Sequence, residues 1–193
     1  MVAILVVSGT HGFVVAALAT ALGDAGPSHA GRRTLNPFAH LDLVGGVCLL
    51  LFGLGWARPV QVAPEELRAP RRDLALTAVA SLAAVAVVGV VTFLLRPLAV
   101  ASLPPGPAVA AAATLQTTAT LALGFSLFNA LPVPPLTGRY LLVALLPKGA
   151  AEVVDRYASH AGVALAVLIV TGLLPRFLLP SLRSLTTWVL GRL

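Results

Sequence analysis

The stretch FNALPVPPLTGRY, residues 128–140, decides how the rest of the chain is read. A long apolar run precedes it, and three prolines within positions 132–135 stop any helix that reaches them. Gly138 then permits a tight turn of the backbone. An apolar helix therefore ends in a rigid loop flanked by Asn129 and Thr137.

Composition fixes the broad class. Of 193 residues, 58% are hydrophobic and 10% charged, with mean hydropathy +0.95. Soluble domains carry about 25% charged residues, so this chain belongs in lipid. The net charge is +6, but the thirteen basic residues stand singly or in pairs between apolar runs. They read as loop charges that orient a membrane protein, which argues against a nucleic-acid partner. The single Cys48 lies in an apolar run and excludes a disulfide framework or a cysteine metal site. The first 22 residues end in ALATALG but lack a basic leading segment, so they read as a membrane helix rather than a cleaved leader.

Crossing the hydrocarbon layer takes roughly 20 apolar residues. Stretches 1–22, 74–95, 108–131 and 160–174 are the expected spans, with LPPGP (103–107) as a tight turn between the second and third. The run LVGGVCLLLFGLG, 43–55, is only thirteen residues long and holds four glycines. Loop charge bears on its path. If it crosses, basic residues divide seven to six between the two faces. If it dips in and returns, Arg32 and Arg33 join Arg58, Arg68, Arg71, Arg72, Arg139, Lys148 and Arg156, leaving four opposite (Arg96, Arg176, Arg183, Arg192). The second arrangement has the clear positive-inside bias. It makes 43–55 re-entrant, with the basic face cytoplasmic. The segment 176–193, with prolines and arginines among leucines, reads as an interfacial amphipathic tail. The whole chain, 1–193, is expected to be one all-α integral membrane domain with about 4–6 transmembrane helices and the short re-entrant element.

Three motifs occur in order: AGRRTLNPFAHLD (30–42), GLGWARPVQVAPEELRAPRRDLAL (53–76) and FNALPVPPLTGRYLL (128–142). Together they resemble the site-2 protease family of intramembrane zinc metallopeptidases, peptidase family M50, in its short form. That resemblance implies a helix carrying HExxH, whose two histidines bind zinc while the glutamate activates water. A later motif like NxxPxPPLDG supplies an aspartate as third ligand. In this chain the helix reads THGFVVAAL, so His11 stands at the first ligand position. Gly12 replaces the glutamate, Val15 the second histidine and Thr137 the aspartate. Ser81, Leu82 and Val85 stand where the family has AGPxxN. The positions that shape backbone are kept: Asn36, Pro37, Pro59, Asn129, Pro132, Pro134, Pro135 and Gly138. His40 and Asp42 of the NPxxHxD loop also remain, and a hydrogen-bonded structural role is expected for them, with metal binding by His40 as the alternative.

A lone His11 within the membrane needs a partner, expected to be Thr10, Asn129 or a carbonyl freed near the prolines. His29 reads as a solvated loop residue. The row Thr114, Gln116, Thr117, Thr118, Thr120, Ser126 and Asn129 divides by chemistry. Hydroxyls bond to their own helix, whereas Gln116 and Asn129 are expected to bond across to another helix. Two functions follow. One is a catalytically inactive family member, without cofactor, that acts as an accessory subunit on transmembrane helices of partner proteins. The other is an intramembrane zinc metalloprotease with a displaced site built from His11, His40 and His160. A transport or pigment-binding role is not separable from the first. The family resemblance and the hydropathy place the chain in a bilayer, expected to be a bacterial inner membrane.

Overall fold

The computed structural model describes residues 1–192. Leu193, the last residue of the expected tail, and the side chains of Lys148 and Asp155 lie outside the described residues. Among the described residues there are ten α-helices and no strand. They are α1 (Val2–Leu22), α2 (Gly26–His29), α3 (Leu43–Phe52), α4 (Pro70–Leu94), α5 (Arg96–Ser102), α6 (Pro105–Asn129), α7 (Arg139–Leu145), α8 (Lys148–Arg156), α9 (Ala158–Val170) and α10 (Leu173–Leu190).

Three helices are long and apolar enough to cross a membrane: α1, α4 continued through α5, and α6. They form one bundle because each presents a buried face to the others. On α4 that face is Leu74, Ala78, Leu82, Val85 and Gly89, spaced three or four apart as one side of a helix requires. Val7 of α1, Val85 of α4 and Phe125 of α6 meet in one cluster, together with Leu49 of α3. Ser126 Oγ of α6 donates to the Leu82 carbonyl of α4 at 3.0 Å, a polar link between two spans.

The element boundaries differ from the sequence expectation in ways that prolines explain. Pro70 opens α4 four residues earlier than position 74, and Pro105 and Pro107 fall in the first turn of α6 rather than in a turn before it. Proline suits a helical first turn, where no N–H is needed. The expected span 160–174 is corrected. Helix α9 has 13 residues and stops at Gly172, whose φ of 77° is left-handed. Pro175 then lies in the first turn of α10, so it begins a helix instead of ending one. The two are bent by 79° and are long enough to cross only if counted as one broken span. The segment 176–193 likewise begins within α10, where Leu174, Leu178, Leu179 and Leu182 pack against a buried cluster that includes Leu54, Trp56 and Phe128. Phe177, Leu185 and Trp188 on the same helix are exposed alongside Arg176, Ser181, Arg183 and Ser184, so its outer surface mixes apolar and polar side chains.

The glycine-rich element enters and returns. At about 1.5 Å per residue, the ten residues of α3 extend only about 15 Å, half the hydrocarbon layer. Asp42 caps its start, its carboxylate accepting from Gly45 N at 2.7 Å. Beyond the helix the chain doubles back against it. A Cβ on Gly45 would lie 2.3 Å from the Trp56 carbonyl oxygen, and one on Gly55 would lie 2.1 Å from that of Gly45. Only glycine allows two backbones this close. The exit then meets the entry, where Arg58 N donates to the His40 carbonyl at 2.8 Å. Arg68 N donates to the carbonyl of Leu22, the last residue of α1. The loops 23–42 and 57–69 therefore share one side of the bundle, as the nine-to-four charge division requires.

Candidate functional site

The site lies where α1, the 34–42 loop and the proline-rich turn after α6 converge. Each backbone-shaping residue of the motifs has a visible task. Asn36 Oδ1 accepts from Phe38 N at 3.1 Å and starts a 3-10 turn at Pro37–Ala39. Asn129 Nδ2 donates to the Gly55 carbonyl at 3.0 Å, tying α6 to the returning chain. Pro132, Pro134 and Pro135 carry the turn that follows α6, and Gly138 N donates back to the Asn129 carbonyl at 2.7 Å. A Cβ on Gly138 would lie 2.3 Å from the Leu131 carbonyl oxygen. The turn can fold back onto the helix end only because that position is glycine, and the fold-back aims Thr137 inward.

Thr137 meets His11. Thr137 Oγ1 and His11 Nε2 share a 2.7 Å hydrogen bond, and both residues are buried. The expected partners of His11 (Thr10, Asn129, a freed carbonyl) are thus corrected. Adjacent residues on a helix face different ways, so Thr10 cannot reach the imidazole of its neighbour. The amide of Asn129 is spent on Gly55 and Phe125. His11 stands edge-on to Phe125, with ring centroids 5.4 Å apart, and its Nδ1 is buried without a partner.

The other two positions are filled. Val15 is fully buried, in a cluster with Leu74, Ala78 and Tyr140. Gly12 lies under the ring of His40: a Cβ there would be 2.0 Å from His40 Nδ1 and 2.3 Å from Cγ. His40 is itself fully buried. Its Nε2–H donates to the Thr34 carbonyl at 2.8 Å, and Nδ1 faces Arg32 Nη2 at 3.4 Å. Burial lowers the His40 pKa; the bond to Thr34 raises it in part, and the Arg32 charge lowers it further. The ring is held neutral by its surroundings.

This donor set does not fit a zinc ion. Two ligands at zinc's bond lengths of about 2.0–2.1 Å stand about 3.3 Å apart in a tetrahedron. His11 Nε2 and Thr137 Oγ1 are closer than that and bonded to each other. Among the described residues no three His, Cys, Asp or Glu side chains come together. His29 and His160 lie in α2 and α9, and His160 faces Tyr157 with ring centroids 6.0 Å apart.

Sequence reasoning missed three contacts. Asp24 is buried and accepts from Gly26 N and Ala63 N, both at 2.8 Å, joining the end of α1 to the 58–63 segment. The Tyr140 hydroxyl donates to the Val60 carbonyl on the same segment. Gln116, expected to reach another helix, donates instead to Thr120 one turn along at 3.2 Å. That i,i+4 spacing was visible in the sequence. Thr114, Thr117 and Thr118 bond to carbonyls of their own helix, as expected.

A membrane bundle with a re-entrant hairpin, His11 on its first helix and a proline-glycine turn that meets it is the arrangement expected from the sequence motifs. The chain belongs to the site-2 protease family. It is 32% identical over 191 residues to a Bacillus subtilis (strain 168) protein described as "Putative zinc metalloprotease YwhC", covering 95% of this chain and 86% of the relative. No family model matches the chain, and no solved structure matches it.

Proposed function

We propose that this chain is a non-catalytic member of its family, working without zinc as a membrane-embedded binding subunit for transmembrane helices of partner proteins. One observation carries the reading: the residues at two of the family's ligand positions, His11 and Thr137, are bonded to each other, while His40 occupies the space where a general base would begin. Water activation at a metal needs three protein ligands, an open fourth position and a base. Glycine and valine have no donor atom to contribute. The residues that build the frame, from Asn36 to Gly138, keep hydrogen bonds and close approaches that maintain its shape. Shape without the reactive set supports binding over cleavage, in a bilayer we take to be a bacterial inner membrane.

The relative's description supports a second reading, a zinc metalloprotease with an atypical site. It requires His11 to give up Thr137 and gather ligands from elements now apart. Metal analysis of protein purified from native membranes separates the two. The binding reading expects no molar equivalent of zinc and co-purification of a membrane partner that survives Thr137→Ala. A molar equivalent of zinc that disappears in His11→Ala would establish the protease reading in its place.

A further inference from the structure

A second feature lies on the basic side, away from the His11–Thr137 pair. A cleft of about 1110 Å³ opens between the 24–32 loop, the 58–63 segment and the start of α9, lined by Asp24, Arg32, Arg58, Gln61, Arg139 and Ser159. Arg32 Nη2 donates to the Arg58 carbonyl at 3.0 Å, which fixes one guanidinium in the wall. Its Nε is buried without a partner among the described residues, and the Arg58 side chain is exposed. Neither forms an ion pair with a carboxylate among the described residues. Two carboxylates lie nearby but are committed: Asp24 accepts two backbone N–H groups, and Asp42 caps α3.

We infer that this cleft binds a phosphate group through Arg32 and Arg58, and that the phosphate is that of an anionic lipid headgroup. Neighbouring guanidiniums that no carboxylate pairs with directly repel each other, and a tetrahedral oxyanion relieves this by accepting from both. Burial, and after it the Arg58 charge, push the Arg32 pKa down, against a smaller opposing effect of Tyr140. The cleft also reaches Pro135, in the turn that ends α6, and Ala158, the first residue of α9. Ala158 opens the broken span formed by α9 and α10, and Pro135 follows the end of the span α6, so the cleft lies beside span ends, where headgroups would meet it. The nine basic residues of that face draw it to an anionic leaflet. The volume exceeds a bare phosphate and suits a headgroup with its glycerol.

Calorimetric titration of the detergent-purified full chain tests this with soluble dihexanoyl phosphatidylglycerol, dihexanoyl phosphatidylcholine and inorganic phosphate. Phosphatidylglycerol should bind saturably and phosphatidylcholine weakly, with phosphate competing. Arg58→Gln should weaken phosphatidylglycerol about tenfold, the scale of one charge-assisted hydrogen bond, and Arg58→Lys should recover part of the loss. Arg58 is the residue to vary because its side chain is exposed, whereas Arg32 supports the loop. Phosphate binding lost in Arg58→Gln, with no lipid binding, would keep the phosphate site and assign it to a soluble ligand. Equal binding of both lipids, or phosphatidylglycerol binding unchanged in Arg58→Gln, overturns the inference.

Discussion

The contact between Gly12 and His40 makes a quantitative prediction for Gly12→Ala. The new methyl would sit 2.0 Å from His40 Nδ1, and ordinary contact begins at 3.4 Å, so the ring must retreat about 1.4 Å. Its Nε2 is anchored at 2.8 Å on the Thr34 carbonyl, so that retreat breaks or stretches the bond. Overpacking of this kind costs about 1–3 kcal/mol. Loss of one buried hydrogen bond adds about 1 kcal/mol. Alanine returns about 1 kcal/mol through its better helix propensity. The expected net loss is about 1–3 kcal/mol, read by denaturant unfolding in detergent followed by circular dichroism. Gly124→Ala is the control, because nothing lies within 4 Å of its added methyl, and it should be neutral or slightly stabilising. In a His40→Ala background the Gly12→Ala cost should vanish, since the clash has no second party. Stability unchanged by Gly12→Ala, or an equal loss with and without the His40 ring, would refute the claim that His40 fills this space.

Restoring a single family ligand should harm the protein: Val15→His places a larger polar ring in a fully buried position and should cost about 2–4 kcal/mol, measured by the same unfolding assay. Asn129→Ala should cost about 1–3 kcal/mol by leaving the Gly55 carbonyl unpaired, with local hydrogen exchange rising at 53–58. Acid should destabilise the fold through His40. Its folded pKa is lowered, so its stabilising share is complete above the unfolded value of about 6.5 and is lost as pH falls through the folded pKa. Unfolding series from pH 7.5 down to pH 5, on the wild type and on His40→Gln, check this, and a wild type that gains stability on acidification contradicts it. Cysteines placed at Arg33 and Arg68 should label from the same side of the membrane, because entry and exit of the hairpin meet.

The fold was largely legible because bilayer thickness converts run length directly into topology. The run 43–55 was too short to cross and too rich in glycine to be an ordinary helix, and both properties follow from a hairpin with backbone-to-backbone contact. The bend at Gly172 was not legible, because the apolar character runs straight through it and Pro175 marks a helix start as readily as a stop. At the site, the substitutions were visible but their consequences were not. The bond between His11 and Thr137 spans 126 positions, and the overlap of His40 with Gly12 joins a helix to a loop. One clue was at hand. Two residues that occupy ligand positions for one ion must point at one place, so without the ion they become each other's nearest polar partner.

Retention of the motif after α6 therefore carries less functional weight than its resemblance suggests. Gly138 is required by its approach to the Leu131 carbonyl, and Asn129 by the Gly55 carbonyl it satisfies in a buried, water-poor interior. Each would be needed whether or not position 137 held a carboxylate. The same holds for Asp42, which caps α3, and Asn36, which starts the turn leading to His40. These residues hold the loop and the turn so that His40 lies over Gly12 and Thr137 meets His11. Thr137 is the member of the turn whose side chain meets His11, and there a hydroxyl and an imidazole nitrogen share one hydrogen bond. In the binding role proposed above, with His11 and Thr137 closed on each other, a partner would meet the faces of the helices and the clefts between them.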